Sequence, residues 1–178
     1  LRKLKMELIL GPHPLLKQSV EKFDLENMHP APIVMDMIEI MKKEQGLGLS
    51  ANQVGLPFQI FIMKTTKNKK YGDVTAVINP VIKGLSNEKQ EGIEGCLSYP
   101  DLFLKVRRPI SCIVEFETLT SDFKNVIHVE EKYEDIDARV FLHEYDHLHG
   151  IQYMNRVSKL KYNMAVKKRE KLRRKVYG

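Results

Sequence analysis

The chain has 178 residues, 43% hydrophobic and 29% charged, which is the balance of an ordinary soluble globular protein long enough to bury a sizeable core. Two cysteines, Cys96 and Cys112, exclude a disulfide framework and suit a reducing interior. No apolar run reaches the roughly eighteen residues a membrane-spanning helix needs. The formal charge of +6 is concentrated at one end: residues 159–175 hold nine Lys or Arg against Glu170, a net of +8, which leaves −2 for the remainder. Residues 1–7 are basic but interrupted by Glu7, which argues against a signal peptide. The chain opens on Leu rather than Met, so a longer N-terminus, an organelle transit peptide included, is left open.

Taken in order, residues 8–10 read as a short extended run closed by the turn-forming 11–14. A helix is expected over 32–45: Pro32 sits in its first turn, Ile33, Met37, Ile40 and Met41 form an apolar stripe, and Gly46 ends it. Residues 46–53 then fall in a loop leaving that helix. A buried strand is expected over 58–63, a Lys-rich loop over 66–72, and a strand over 74–78 ending at Asn79 and Pro80. Residues 81–93, polar with Gly84 and Gly92, read as chain delivering a loop that carries Cys96. Residues 110–117 and 125–130 look like strands of a hairpin across the turn-rich 119–123. A helix follows over 136–148, ended by His149 and Gly150, and Ser158 is placed to cap a last helix to about Val176. There is no repeat, low-complexity segment or linker. The expected architecture is a single α+β domain over 1–178, with mixed or antiparallel sheets around a central helix and a basic C-terminal helix over 159–176.

Three stretches carry chemistry. His143-Glu144-Tyr145-Asp146-His147 puts two imidazoles about 40° apart on one helix face, where they can share an ion. Glu144 lies beside them, placed to move the proton of a water that the ion acidifies. A catalytic metal site wants a third protein ligand, and the best candidate is Cys96 in Glu94-Gly95-Cys96-Leu97-Ser98, a Cys-His-His set suited to zinc or iron(II). In Gly46-Leu47-Gly48-Leu49-Ser50-Ala51-Asn52-Gln53 two glycines precede an amide, and Gln53 offers an NH2 donor to an oxyanion.

These three stretches, in this order, resemble the peptide deformylases, whose pattern reads Gly-x-Gly-x-Ala-Ala-x-Gln, Glu-Gly-Cys-Leu-Ser and Gln-His-Glu-x-Asp-His. The resemblance covers nearly the whole chain. It departs from the pattern at Ser50, which stands for Ala and is expected to be harmless, and at Leu142, which stands for Gln and removes a polar group near the metal. It implies a metal-dependent hydrolase that removes the N-formyl group from formylmethionyl nascent peptides and releases formate. Cys96, His143 and His147 would hold one divalent ion, iron(II) by preference and exchangeable for zinc, nickel or cobalt; Glu144 would be the general base, and Gln53 with the Leu97 N–H would stabilise the oxyanion. The peptide would add as a strand along Leu47, Gly48 and Leu49 near Gly95, its methionine walled by Glu94, Ile136, Val140 and the His143 ring. Arg108 would brace Asp146. It further implies a cytoplasmic or organellar monomer with no membrane partner, whose basic tail meets ribosomal RNA.

Blander readings stand beside these. Cys112 reads as a small buried hydrophobe, His149 as a helix-end residue favouring the dipole, and His13, His29 and His128 carry no role. Leu160, Met164, Leu172 and Val176 recur at multiples of four, which suggests that this side of the last helix packs on the body, while the basic side is either a solvated helix face or a surface that meets RNA. Two rival functions are weaker. A zincin-type peptidase lacks its further downstream ligand, and a binding module with a structural metal lacks a fourth protein ligand.

Overall fold

Runs of β-formers between residues 48 and 134 build one antiparallel sheet and one separate hairpin. The sheet contains β1 (Gly48–Ser50), β2 (Ile60–Lys64), β3 (Val74–Leu85), β6 (Ser111–Leu119) and β7 (Val126–Glu134), in the order β1-β2-β3-β6-β7. The hairpin pairs β4 (Lys89–Cys96) with β5 (Tyr99–Pro109). Among the described residues three α-helices join them: α1 (Ala31–Lys43), α2 (Asp135–Leu148) and α3 (Lys159–Tyr177). The structure, a computed structural model, describes residues 6–66 and 71–177. The basic opening at 1–5, most of the expected Lys-rich loop at 66–72 and the side chain of Val176 lie outside that description.

Side-chain alternation along β2 sends Ile60 and Ile62 toward α1 and Phe61 and Met63 toward α2, so this strand is apolar on both faces. On the α1 side lie Val34, Met37 and Met41 with Leu49 and Ile78. On the α2 side Phe141 meets Phe61 edge-on at 5.2 Å and stacks on Tyr133 at 5.5 Å. The third cluster joins Leu102, Leu104 and Val106 of β5 to Tyr153 and to Tyr162, Ala165 and Val166 of the last helix. α2 is thus held between the sheet and the hairpin, and whatever it presents toward the hairpin is presented from a rigid support. Among the described residues no helix is long and apolar enough to cross a membrane.

Several expected boundaries move. The first helix ends at Lys43, two residues early, because Gln45 takes a left-handed conformation (φ 57°) before Gly46. Residues 48–50 are not loop but the outermost strand of the sheet. β3 does not stop at Asn79-Pro80: it bulges there, with Asn79 at φ 50° and the register shifting between Ile78 and Val81. The Asn79 side chain holds the bulge by accepting from Phe23 N (2.7 Å) and donating to Phe23 O (3.0 Å). The stretch 81–93 is largely strand, so Cys96 ends β4 rather than riding on an irregular loop.

The last helix packs the opposite way from the expectation. Leu160, Met164 and Leu172 are 71%, 63% and 51% exposed, while Tyr162, Ala165 and Val166 face the body. A spacing of four drifts about 40° per step, so positions twelve apart sit about 120° apart and do not share a face; a true face alternates steps of three and four. Arg173 secures the far end by donating to Asp101 Oδ2 (2.9 Å) and Pro100 O (3.2 Å). Ser158 accepts from Lys161 N at 3.3 Å, as its capping position predicts.

Candidate active site

α2 begins with acidic Asp135 and Asp137 at its positive end and carries both histidines in its last turns. Its i, i+4 spacing brings the His143 and His147 ring centroids to 5.0 Å. The end of β4 adds Cys96, whose Sγ lies 3.3 Å from His147 Nε2, and one ligand atom from each of the three falls within 4.8 Å of the others. A thiol and two imidazoles form a donor set for a zinc-like or iron(II)-like ion. The tautomers agree with this use. Glu94 Oε2 takes the Nδ1 side of His143 at 3.0 Å, leaving Nε2 for an ion. Glu144 Oε2 is buried without a protein partner, as is His147 Nδ1, among the described residues.

The electrostatics around these groups follow from burial and a chain of ion pairs. Burial pushes the Glu144 carboxyl up to about 7, against the pull of His143 and Arg108. Burial alone would lower His143, but hydrogen bonds with Cys96 and Glu94 outweigh it and raise the imidazole to about 10. Burial and the neighbouring His143 charge hold His147 well below its usual value. Behind the site, Arg108 grips Glu94 with Nε (2.6 Å) and Nη2 (2.9 Å), and Asp146 with Nη1 (2.8 Å). Arg139 adds to Glu94 (2.8 Å), and Arg156 Nε donates to Asp146 (3.0 Å). An alternating chain Arg139, Glu94, Arg108, Asp146, Arg156 therefore ties the hairpin to the metal helix.

Glu94 contributes a testable pH dependence. Burial opposes its charge, yet hydrogen bonds from His143 and Arg108 hold it at about 2, below its ordinary 4.5. A depressed folded pKa stabilises the fold above the unfolded value and loses that contribution as pH falls through the folded one. The stability difference between the parent and Glu94→Gln, read by chemical unfolding, should be level from pH 7 to about 5 and then shrink by about 3 kcal/mol between about 4.5 and 2. A difference that does not shrink would assign the acid sensitivity to other carboxylates.

Gln53 sits in a 3-10 turn, Ala51–Val54, directly after β1. Its Oε1 accepts from Ser50 N (2.9 Å), which turns Nε2 toward Ser98 Oγ (3.0 Å) and Cys96 Sγ (3.3 Å). Gly48 lies against Glu144, and a Cβ there would run into the carboxylate. A cleft of about 430 Å³ opens over these groups. Leu47 and Gly48 at β1, Glu94, Gly95 and Leu97 at the hairpin, and Ile136 and Val140 of α2 are among the residues that line it. Of the expected strand-pairing residues, Leu49 alone turns its side chain away, fully buried against α1.

Other residues take parts that the sequence reading does not contain. Glu94 is not only a pocket wall but the buried partner of His143 and two arginines. Arg139, inside α2, and Arg156, after its end, belong to no motif. Leu142 packs in the apolar core beside Phe141, and its carbonyl, not its side chain, meets Arg108 at 3.3 Å. Cys112 is buried, and burial pushes its thiol up to about 12. His149 Nδ1 lies 2.9 Å from Tyr145 O at the helix end, and His29 Nδ1 accepts from Ala31 N at 3.3 Å.

Comparison with known proteins agrees with this geometry. The family model described as polypeptide deformylase matches residues 5–163. The peptide deformylase of Novosphingobium aromaticivorans is 35% identical, over 94% of this chain and 97% of its own. The Arabidopsis thaliana protein called peptide deformylase 1B, chloroplastic/mitochondrial, is 30% identical over 86% of this chain and 54% of its own. The crystal structure of Ehrlichia chaffeensis peptide deformylase in complex with actinonin superposes with a TM-score of 0.80 at 31% identity, covering 97% of this chain and 98% of that one. With fold, motif order and matched length in accord, this chain belongs to the polypeptide deformylase family.

Proposed function

We propose that the cleft between β1 and the β4–β5 hairpin is where this deformylase hydrolyses the formyl amide of N-formylmethionyl peptides, with Cys96, His143 and His147 holding one divalent ion. The observation that carries the reading is the convergence of those three ligand atoms within 4.8 Å, beside the buried carboxyl of Glu144. When bound, such an ion supplies Lewis acidity and makes water nucleophilic at neutral pH. Glu144, buried beside those ligands, accepts the water's proton and returns it to the leaving amine. Gln53 Nε2 and the Leu97 N–H donate to the developing oxyanion. Glu94 fixes the His143 ring through Nδ1, and Arg108 holds Glu94 and Asp146 in place.

The peptide backbone pairs along β1, whose outer edge is the end of the sheet. Its methionine enters between Ile136, Val140, Glu94 and the His143 ring, beside Gly95. Iron(II) is the native ion in this reading, suited to a Cys-His-His set, and zinc, nickel or cobalt can replace it in preparation; the thiolate donor lowers the ion's Lewis acidity, and the oxyanion donors compensate. The basic face of α3 meets ribosomal RNA, which its net +8 over 159–175 favours. The compartment is the cytoplasm, or an organelle as the Arabidopsis relative's name indicates for that protein.

The test is formate release from a formyl-Met tripeptide by protein purified without oxygen and loaded with iron(II). Rapid release, absent with the acetylated peptide, is the expected result. No release from protein carrying one metal per chain would overturn the reading and favour a binding module.

A further inference from the structure

Ser50 stands where the pattern of this family has Ala, and Asn52 at a position the pattern leaves open, yet both side chains are buried, at 0% and 2% exposed, and fully engaged. Asn52 Nδ2 donates to the carbonyl of His147 at 2.7 Å. A carbonyl only accepts, so the amide is oriented without ambiguity and Asn52 Oδ1 must face Ser50 Oγ, 2.8 Å away. Oδ1 also only accepts, so the Ser50 hydroxyl gives it its proton; Gln53 Oε1 lies 3.1 Å from the same oxygen and takes the Ser50 N–H. One short segment therefore touches the carbonyl of one expected metal ligand and the amide whose Nε2 faces another, Cys96. The His147 carbonyl lies at the C-terminal end of α2, where helix carbonyls have no full complement of helical partners, and Gly150 N is its other donor at 3.0 Å.

We propose that Ser50 and Asn52 form a buried strap that fixes the Gln53 amide and the His147 end of α2 in one relative position, making both of them positioning residues for this chain's reaction. The inference rests on the functional reading above. Neither residue touches the substrate; each acts by keeping a donor and a ligand in register, where a displacement on the order of 1 Å is costly to turnover.

The test compares Ser50→Ala, Asn52→Ala and the double variant with the parent protein, all loaded with iron(II), reading kcat, KM, bound metal and melting temperature. Each single variant is expected to lose kcat by about 10-fold with KM within about 2-fold, because transition-state contacts rather than peptide binding are displaced. The double variant is expected to fall no further than the worse single one, since either change breaks the same strap; independent residues would multiply to about 100-fold. Unchanged kcat in a folded Ser50→Ala protein, multiplicative losses, or a fall in melting temperature without loss of kcat would each overturn the strap. If Asn52→Ala does not fold, Ser50→Ala, which only removes one oxygen, decides by its kcat alone. A parent protein that releases no formate would instead overturn the functional reading.

Discussion

Glu144→Gln is expected to lower kcat by on the order of 10³-fold while leaving one metal per chain and an unchanged melting profile. Gln fills the same volume and can still hydrogen-bond, but it has no proton affinity near neutrality, so only the proton transfer is removed. Glu144 is not among the three groups whose ligand atoms converge, so the ion should stay. Its buried Oε2 has no protein partner to lose, which keeps the structural cost small. Metal analysis alongside steady-state kinetics checks both halves. Loss of metal together with activity would move Glu144 from proton carrier to ligand. A residual rate within about 10-fold of the parent would make general-base transfer a minor contribution.

Arg108→Met should produce a large loss of stability. Arg108 is 4% exposed and, among the described residues, is the one side chain that binds both Glu94 and Asp146. Methionine of similar length leaves two buried carboxylates short of a cation, a defect worth about 3–5 kcal/mol. Against a total of about 5–15 kcal/mol for a typical domain, that should lower the melting temperature on the order of 10 °C. Activity should fall as well, since Glu94 would no longer be held against His143 Nδ1. Arg108→Lys restores the charge but not the fork that spans Glu94 Oε1, Oε2 and Asp146, so it should recover only part of the loss. A melting temperature within about 2 °C of the parent for Arg108→Met would mean that Arg139 and Arg156 carry the pairing without it.

The site was legible where chemistry is written at fixed spacing and obscure where it depends on distant partners. His143, Glu144 and His147 share one helix, and helical geometry alone puts them together. Glu94 stands two residues before Cys96, yet its partners lie 14, 45 and 49 positions away, and no local pattern announces them. The fold divides in the same way. α2 and the β6–β7 hairpin show their own periodicities. β5 also alternates, Leu102, Leu104, Val106 and Arg108 all facing inward, but the inward charge at Arg108 and its exposed neighbours Phe103 and Lys105 disguise the pattern. Pro80 reads as the end of a strand because it cannot donate to a ladder, and only the Asn79 bulge lets β3 continue past it. In α3 the packing face is set by Tyr162, Ala165 and Val166, which are less apolar as a group than the leucines and methionine left outside.

β1 is three residues long, ends the sheet and passes at once into a tight turn. An extended peptide pairing with it, at about 3.3 Å per residue, has register with only about three of its own residues. In the proposed mode, recognition by backbone would be confined to the extreme start of a bound chain, and everything beyond would run off the edge unread. Such a short ruler would suit an enzyme that treats peptides of different sequence alike, and the brevity of β1 also leaves neighbouring molecules little open edge there to pair with.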